Sequence, residues 1–156
     1  MAQLTTTAVL NEQSRNENED ILLFAKYIRH GLSHGTDLQT LWDYCLWYWR
    51  NQIRPTFFSE EQVVLPYVGK HFFASQLMKE HDDIRDLVLI LDKNPESSLF
   101  SILATFVEFH VQFKKSHFSK FLESISYDQA IGEHEKGMQN TPVSADEWKS
   151  AFWKKK

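Results

Sequence analysis

Apolar residues recur at helical spacing over most of the chain, and the first such segment is short. It begins at about Glu17 and ends where Gly31 and Gly35 interrupt the pattern. Its apolar positions are Leu23, Phe24, Tyr27 and Ile28. Residues 1 to 16 show no periodicity, so we expect a loose N-terminal arm there, followed by a single domain over residues 17 to 156.

The second segment is longer and contains a proline. Thr36 or Asp37 can cap its start, since both side chains accept a hydrogen bond from the first turn of a helix. Proline removes a backbone donor and clashes with the carbonyl group four residues earlier. Pro55 therefore predicts a kink or a break near Asn51 and Gln52. The apolar positions of this segment are Leu38, Leu41, Cys45, Trp49, Ile53, Phe57 and Val64.

Two more segments, at about 67–92 and 95–124, complete an all-α pattern. Their inner positions are Leu77, Ile84, Val88 and Leu91 in the third, and Leu99, Leu103, Phe106, Phe113 and Phe121 in the fourth. Four amphipathic segments with short connections predict an antiparallel, up-down four-helix bundle. We also expect a short extra helix at about 127–136. The chain ends in an aromatic group that we expect to dock on the bundle, namely Trp148, Phe152 and Trp153.

Composition and charge narrow the classes of protein. The 156 residues are 42% hydrophobic and include 12 Phe but only 5 Gly, which argues against disorder and against turn-rich all-β folds. The formal net charge of −4 does not favour broad binding to nucleic acids or to acidic membranes. We therefore predict neither partner, and leave a protein partner or a second copy of the chain open.

The first residues and the single cysteine indicate the cellular compartment. Residues 1 to 18 contain neither a basic start nor an apolar run of the kind that directs secretion. Cys45 has no second cysteine with which to form an internal disulfide, and its place on an apolar stripe is typical of a small core residue. We expect a cytoplasmic protein.

Polar side chains interrupt the apolar stripes of all four predicted helices. They are Asp20 on the first, Gln52, Thr56 and Glu60 on the second, His81 on the third, and His110, Lys114 and His117 on the fourth. A buried charge is costly unless it is paired or binds a metal, so these matched positions indicate one shared site. Bundle cores build metal sites from inward Glu and His side chains. A single core histidine is more often just hydrogen-bonded, but Glu60, His81 and His110 together favour a site.

Four stretches of the chain resemble the hemerythrin-like (HHE) cation-binding domains. The most specific is the run from Trp47 to Glu61, Trp-Tyr-Trp-Arg-Asn-Gln-Ile-Arg-Pro-Thr-Phe-Phe-Ser-Glu-Glu, which leads to Pro66. The others are residues 22–29, the piece Glu-His-Asp-Asp-Ile-Arg at 80–85, and His-Val-Gln-Phe at 110–113. The aromatic end at Trp148 and Trp153 is also similar to that family. The resemblance covers nearly the whole chain and implies the hemerythrin-like bundle.

The resemblance also implies a site, which this chain keeps only in part. The family holds two irons with histidines and two bridging carboxylates, including two His-x-x-x-Glu pairs. Here Asp20 or Glu19 stands where the first helix supplies a histidine, Thr56 replaces the histidine of the first pair, and Lys114 replaces the glutamate of the second. The ligands that remain, which by the family's arrangement lie largely around one iron, are Glu60, His81 and His110.

The charge of Lys114 argues against an intact di-iron centre. An ammonium about 4 Å from a divalent ion is opposed by roughly 8 kcal/mol at an effective dielectric constant near 20. We therefore expect the ammonium to occupy the position of a lost metal and to pair with Glu60, with Asp20 as a further candidate partner. In this arrangement Lys114 and Thr56 fill the position of the second iron.

Two functions remain open, and we expect no conventional enzyme. The first is a binding or interaction module with a degenerate, metal-free or metal-poor site. The alternative keeps one ion, iron or zinc, on Glu60, His81 and His110, with Asp20 as a weak fourth ligand and a metal-binding, redox or sensing role. A general base at His110 or His117 has little support, because the chain contains no phosphate-binding Gly-rich loop, nucleophile elbow or Cys-x-x-Cys motif.

Overall fold

The protein is all-helical in the part of the chain that the structure describes. This computed structural model describes residues 2–124, 143–149 and 151–154, with residues 2–15 given by their backbone alone. The helices are α1 (Ala2–Ser33), α2 (Leu38–Tyr48), α3 (Arg54–Val64), α4 (Phe72–Lys93) and α5 (Ser97–Ser124). A π-helical turn, Trp49–Ile53, joins α2 directly to α3, so the chain forms four helical rods. No helix of the described residues is long and apolar enough to cross a membrane.

Helix α1 begins much earlier than the apolar pattern predicts. It is helical from Ala2, where the sequence predicts a loose arm over residues 1 to 16. Residues 1 to 16 show no apolar periodicity, and this periodicity is the signal from which a helix is predicted. Once the apolar part of α1 is formed, each further residue adds a hydrogen bond without a new nucleation cost, so the helix extends toward the N-terminus. At its other end, Gly35 has a positive φ of 69°, a conformation that glycine adopts without strain, and the chain reverses there.

The second rod is capped and interrupted where the sequence predicts. The Asp37 side chain accepts a hydrogen bond from the backbone N–H of Thr40, which confirms the predicted cap. The irregularity predicted near Asn51 is confirmed as the π-helical turn. There the N–H of Arg54 reaches back five residues, and Pro55, which has no N–H, occupies the first turn of α3. A π turn of this kind shifts the face that the following residues present.

Helices α4 and α5 form a pair on which much of the core is built. Helix α5 packs on both α1 and α4. Helices α4 and α5 are antiparallel, because Phe73 near the start of α4 stacks on Phe121 near the end of α5, while His81 meets His110. Helix α4 begins at Phe72, later than predicted, after a 3-10 turn and Gly69. The short helix predicted at 127–136 lies outside the described residues.

The core confirms most of the predicted inner positions, with one correction. A large cluster is built around Phe24, Tyr44, Tyr48 and Phe57, and a smaller one surrounds Phe73 at the α4–α5 end. The prediction that Phe106 faces inward is wrong, since the structure leaves it 38% exposed. Its neighbour Val107 is buried instead, together with the predicted inward residues Leu103, His110 and Lys114.

The predicted docking of the C-terminal aromatic residues is confirmed. Trp153 stacks on Tyr27 with ring centroids 4.2 Å apart, and Phe152 meets the ring of Tyr44 edge-on at 5.2 Å. Trp148 lies 5.2 Å from Trp47. The tail thus covers the outer side of the α1–α2 packing.

A carboxylate fixes this tail on the bundle. Asp20 accepts hydrogen bonds from the hydroxyl groups of Tyr48 and Ser144, at 2.5 and 2.7 Å, and from the backbone N–H of Ala145. Tyr44 donates to the carbonyl oxygen of Ala145 at 3.0 Å. Because Asp20 lies on α1 and Tyr48 on α2, one side chain ties three parts of the chain together.

The substitution Asp20→Asn tests this connection. An amide places a donor opposite groups that donate, so we expect a loss of about 1 to 3 kcal/mol of unfolding free energy and faster proteolytic cleavage of the C-terminal segment. Urea denaturation and limited proteolysis measure the two effects. The matched control is Glu19→Gln on the exposed neighbouring residue, and equal behaviour of the two variants would contradict the role given to Asp20.

Candidate metal centre

Three buried side chains from three helices converge in the interior. Glu60 comes from α3, His81 from α4 and His110 from α5, and their exposed fractions are 4%, 0% and 1%. The Nε2 atom of His81 lies 2.9 Å from Glu60 Oε1 and 3.2 Å from the Nε2 atom of His110. His110 Nε2 lies 3.7 Å from the same oxygen. Within the described part of the chain, these side chains form the group that could hold a metal ion.

The three atoms are spaced as ligands of one ion would be. Atoms separated by 2.9, 3.2 and 3.7 Å are all equidistant from a point about 2 Å away from each. Bonds from zinc to histidine nitrogen or carboxylate oxygen measure about 2.0 to 2.2 Å. The residues therefore fit a single ion without movement of the backbone.

A second layer of carboxylates orients both imidazoles. His81 Nδ1 lies 2.6 Å from Glu61 Oε2, and His110 Nδ1 lies 2.7 Å from Glu80 Oε1. An Nδ1–H that donates to a carboxylate leaves the Nε2 lone pair free, which is the usual arrangement of a histidine that binds a metal. The sequence reasoning gave Glu61 and Glu80 no role. The available signal was their position, since one directly follows Glu60 and the other directly precedes His81.

This hydrogen bonding creates a demand for positive charge at the centre. With both Nδ1 atoms donating outward, the two Nε2 atoms and Glu60 Oε1 all present lone pairs to one another. Such acceptors at 2.9 to 3.7 Å repel unless a proton or a metal ion lies between them. The site is therefore built for a cation, either an extra proton on one imidazole or a metal ion.

Lys114 supplies a second positive charge on the other side of Glu60. Its Nζ lies 2.5 Å from Glu60 Oε2, and the lysine is only 1% exposed. The ion pair that the sequence predicts is therefore present. Burial on its own would raise the pKa of Glu60, but the charge of Lys114, together with the neighbouring His110 and His81, outweighs it and holds that pKa well below its usual range. Glu60 is a carboxylate shared between two cationic positions.

Thr56 lies in the core but offers no imidazole to an ion. It is 4% exposed and lies one turn before Glu60, as the sequence predicts. Gln52 Nε2 is 3.4 Å from its hydroxyl group, while Gln52 Oε1 is buried without a hydrogen-bond partner. Thr56, Gln52 and Lys114 thus bring a hydroxyl group, an amide and an ammonium to this side of Glu60, and none of the three is an imidazole or a carboxylate.

The predictions for α1 and for His117 need correction. Asp20 is engaged with Tyr48 and the C-terminal segment rather than with the buried group, and both Glu19 and His117 are exposed. The side chain that α1 brings toward the site is Glu17, which is close enough to Lys114 and Glu60 for both charges to shift its pKa. It could have been found from the sequence, because it shares a helical line with Ile21, Phe24 and Ile28.

The environment of Glu17 makes it harder to ionise. Burial is the main cause, the charge of Lys114 opposes it, and the charge of Glu60 adds to it, so that the pKa of Glu17 is raised from 4.5 to about 7. At neutral pH this side chain is partly protonated. The ammonium of Lys114 is therefore directed mainly to Glu60.

Comparison with family models, with curated proteins and with solved structures finds no match for this chain.

The ion pair predicts the effect of removing its cation. In metal-free protein, Lys114→Met leaves Glu60 buried with fewer partners, and loss of one member of a buried pair costs about 3 to 5 kcal/mol. We expect a clearly lowered melting temperature by calorimetry or circular dichroism. Lys115→Met, which changes the same charge on the exposed neighbour, is the control and should have little effect. An unchanged melting temperature for Lys114→Met would show that the pair is not needed.

Glu17 predicts a pH dependence with a definite sign. A carboxyl group whose pKa is raised to about 7 in the folded protein destabilises the fold above that pH. The buried carboxylate is then poorly solvated, and unfolding returns it to water. Glu17→Gln should stabilise the protein by about 1 to 3 kcal/mol at pH 8 and by almost nothing at pH 4. Urea denaturation at both pH values measures the difference. A gain of the same size at pH 4 and pH 8 would rule out this origin.

Proposed function

We propose that the protein is a hemerythrin-like bundle that binds one metal ion and has replaced the second with the ammonium of Lys114. One observation carries the proposal, namely the way Glu60 divides its two oxygens. Oε1 faces the Nε2 atoms of His81 and His110, and Oε2 faces Lys114 at 2.5 Å. The carboxylate that bridges two ions in the family thus bridges one metal position and one fixed cation here.

The fold supports this assignment. The up-down bundle of that family requires four helical rods, an antiparallel α4–α5 pair and a docked aromatic tail, and the chain has these features. The residues that surround the centre come from α1, α3, α4 and α5, so each rod of the bundle contributes to it.

The donor set suits iron or zinc. Two imidazoles and one carboxylate leave positions open for water or a small ligand, and a bound ion would supply Lewis-acid chemistry or, as iron, one-electron chemistry. The residues of the chain hold the two imidazoles in place through Glu61 and Glu80, and they keep bulk water away by burial. We propose a metal-binding or sensing role. We do not propose reversible dioxygen carriage by paired irons, because Thr56 and Lys114 provide no second set of ligands.

A metal-free interaction module is the second candidate. It is favoured by the ion pair of Lys114 and Glu60, which already stabilises one side of the carboxylate, and by the fact that a single extra proton on His81 or His110 satisfies the other side. In that case the buried group would serve the fold alone, and the function would lie in a surface that binds a protein partner or a second copy of the chain.

Metal titration decides between the two candidates. We expect protein purified without chelators or an affinity metal, then stripped and titrated with Co²⁺ or Zn²⁺, to bind one ion per chain and to melt at a higher temperature when loaded. His81→Ala and His110→Ala should lose more affinity than the roughly 10- to 100-fold that loss of an outer-layer partner costs.

The control variant for this titration is His117→Ala, an exposed histidine seven residues beyond His110 on the same helix. It should bind the metal as the unmodified protein does. Two ions per chain would overturn the single-ion proposal, and no bound ion would favour the interaction module.

A further inference from the structure

A groove on the outer side of the α4–α5 pair reaches toward the buried group. It encloses a cavity of about 190 Å³ that is partly open to solvent. The lining residues come from both helices: Gln76, Glu80, Asp83, Ile84, Phe106 and Phe109. Two of these residues, Glu80 and Asp83, are acidic, and two, Phe106 and Phe109, are aromatic and 38% and 67% exposed.

One side chain that lines this groove also contacts a histidine of the candidate metal centre. Glu80 lines the groove, and the same carboxylate accepts a hydrogen bond from His110 Nδ1 at 2.7 Å. Its other oxygen accepts from Gln76 Nε2 at 2.8 Å, and that partner is neutral. A cation in the groove would therefore meet a carboxylate that already contacts a metal-binding histidine.

The opposite sides of the centre are closed to a cation. Next to His81, Glu61 is covered by the guanidinium of Arg85, with Nη2 2.5 Å from Oε2. The ring of Phe57 stacks on His81 at 3.7 Å between centroids, and Arg85 lies over that ring. On the far side of Glu60, the ammonium of Lys114 occupies the approach. Positive charge thus blocks both directions, whereas the groove presents negative charge.

The second carboxylate in the groove is available to an incoming ion. Asp83 pairs with Lys79 at 2.9 Å, but both side chains are well exposed, at 46% and 69%. An exposed pair of this kind contributes little and dissociates readily. A divalent cation can displace the ammonium and bind Asp83, then Glu80, and give up part of its water shell in the process.

We infer that the groove of Glu80, Asp83, Phe106 and Phe109 is the route by which a divalent cation reaches and leaves Glu60, His81 and His110, with Asp83 as its first ligand and Glu80 as its second. A site whose members are 0 to 4% exposed requires such a path. This inference rests on the proposed function, because it concerns the loading of the same centre. It adds the direction of entry and the residues that set the rate.

The test compares rates of loading with equilibrium affinity in the metal-free full chain, with Co²⁺ as the probe. Asp83→Asn removes a carboxylate from the groove but leaves the three residues of the buried centre, Glu60, His81 and His110, unchanged. We expect stopped-flow uptake to slow by about three- to tenfold, since acidic clefts concentrate cations, while the dissociation constant changes by less than about twofold. The control is Asp86→Asn, which removes the same charge one turn further along α4, outside the groove.

A steric variant provides a second measurement. Phe106→Trp narrows the groove, so uptake and chelator-driven release of Co²⁺ should slow by the same factor, which leaves the affinity unchanged. If Asp83→Asn and Phe106→Trp both load as fast as Asp86→Asn, the single-ion site stands and the route is overturned. If the unmodified chain binds no Co²⁺ at equilibrium, the proposed function fails, and the route fails with it.

Discussion

The structure depends on a carboxylate buried between two positive positions. Glu60 is 4% exposed, and a carboxylate removed from water to that extent is tolerated only when its oxygens are satisfied. His81 on α4 and Lys114 on α5 provide this, so Glu60 on α3 is held from two other helices. A slide of one helix by a single turn, about 5.4 Å, would break these contacts, while the apolar contacts around them could re-form with other partners. The polar group therefore fixes the register that apolar packing alone would leave open.

The outer carboxylates make the two sides of this centre unequal. Glu61 is neutralised by Arg85 and lies behind a stacked phenylalanine ring, whereas Glu80 has the neutral Gln76 as its other partner and lines a groove. Both carboxylates orient an imidazole in the same way, yet Glu61 pairs directly with a guanidinium, whereas the structure gives Glu80 no direct ion pair with a lysine or arginine among the described residues. Glu61 and Glu80 thus both orient an imidazole, but only the carboxylate of Glu80 lines the groove through which we propose that a cation enters.

The sequence predicted which residues are buried at the centre better than it predicted which positions along the helix axes meet there. Burial of Thr56, His81, His110 and Lys114 followed from periodicity, because a charged or polar residue on an apolar stripe has no other direction to face. From the sequence, Asp20 or Glu19 was the expected acidic residue of α1, and Glu17 was missed although it shares a helical line with Ile21. The structure gives Glu17 and Asp20 different partners. Both lie on the inner side of α1, but they are separated by about 4.5 Å along its axis, and only the register between helices decides which one meets Lys114. The start of α1 was missed because residues 1 to 16 show no apolar periodicity.

The charges around the centre are distributed unequally over its carboxylates. Lys114 pairs with Glu60 and Arg85 with Glu61, whereas Glu80 has the neutral Gln76 beside it. Glu17 adds a carboxyl group near Lys114 and Glu60, and burial raises its pKa to about 7. The atoms of Glu60, His81 and His110 that face one another are spaced as the ligands of one ion would be. Lys114 balances Oε2 of Glu60, so the two oxygens of this carboxylate face different kinds of partner.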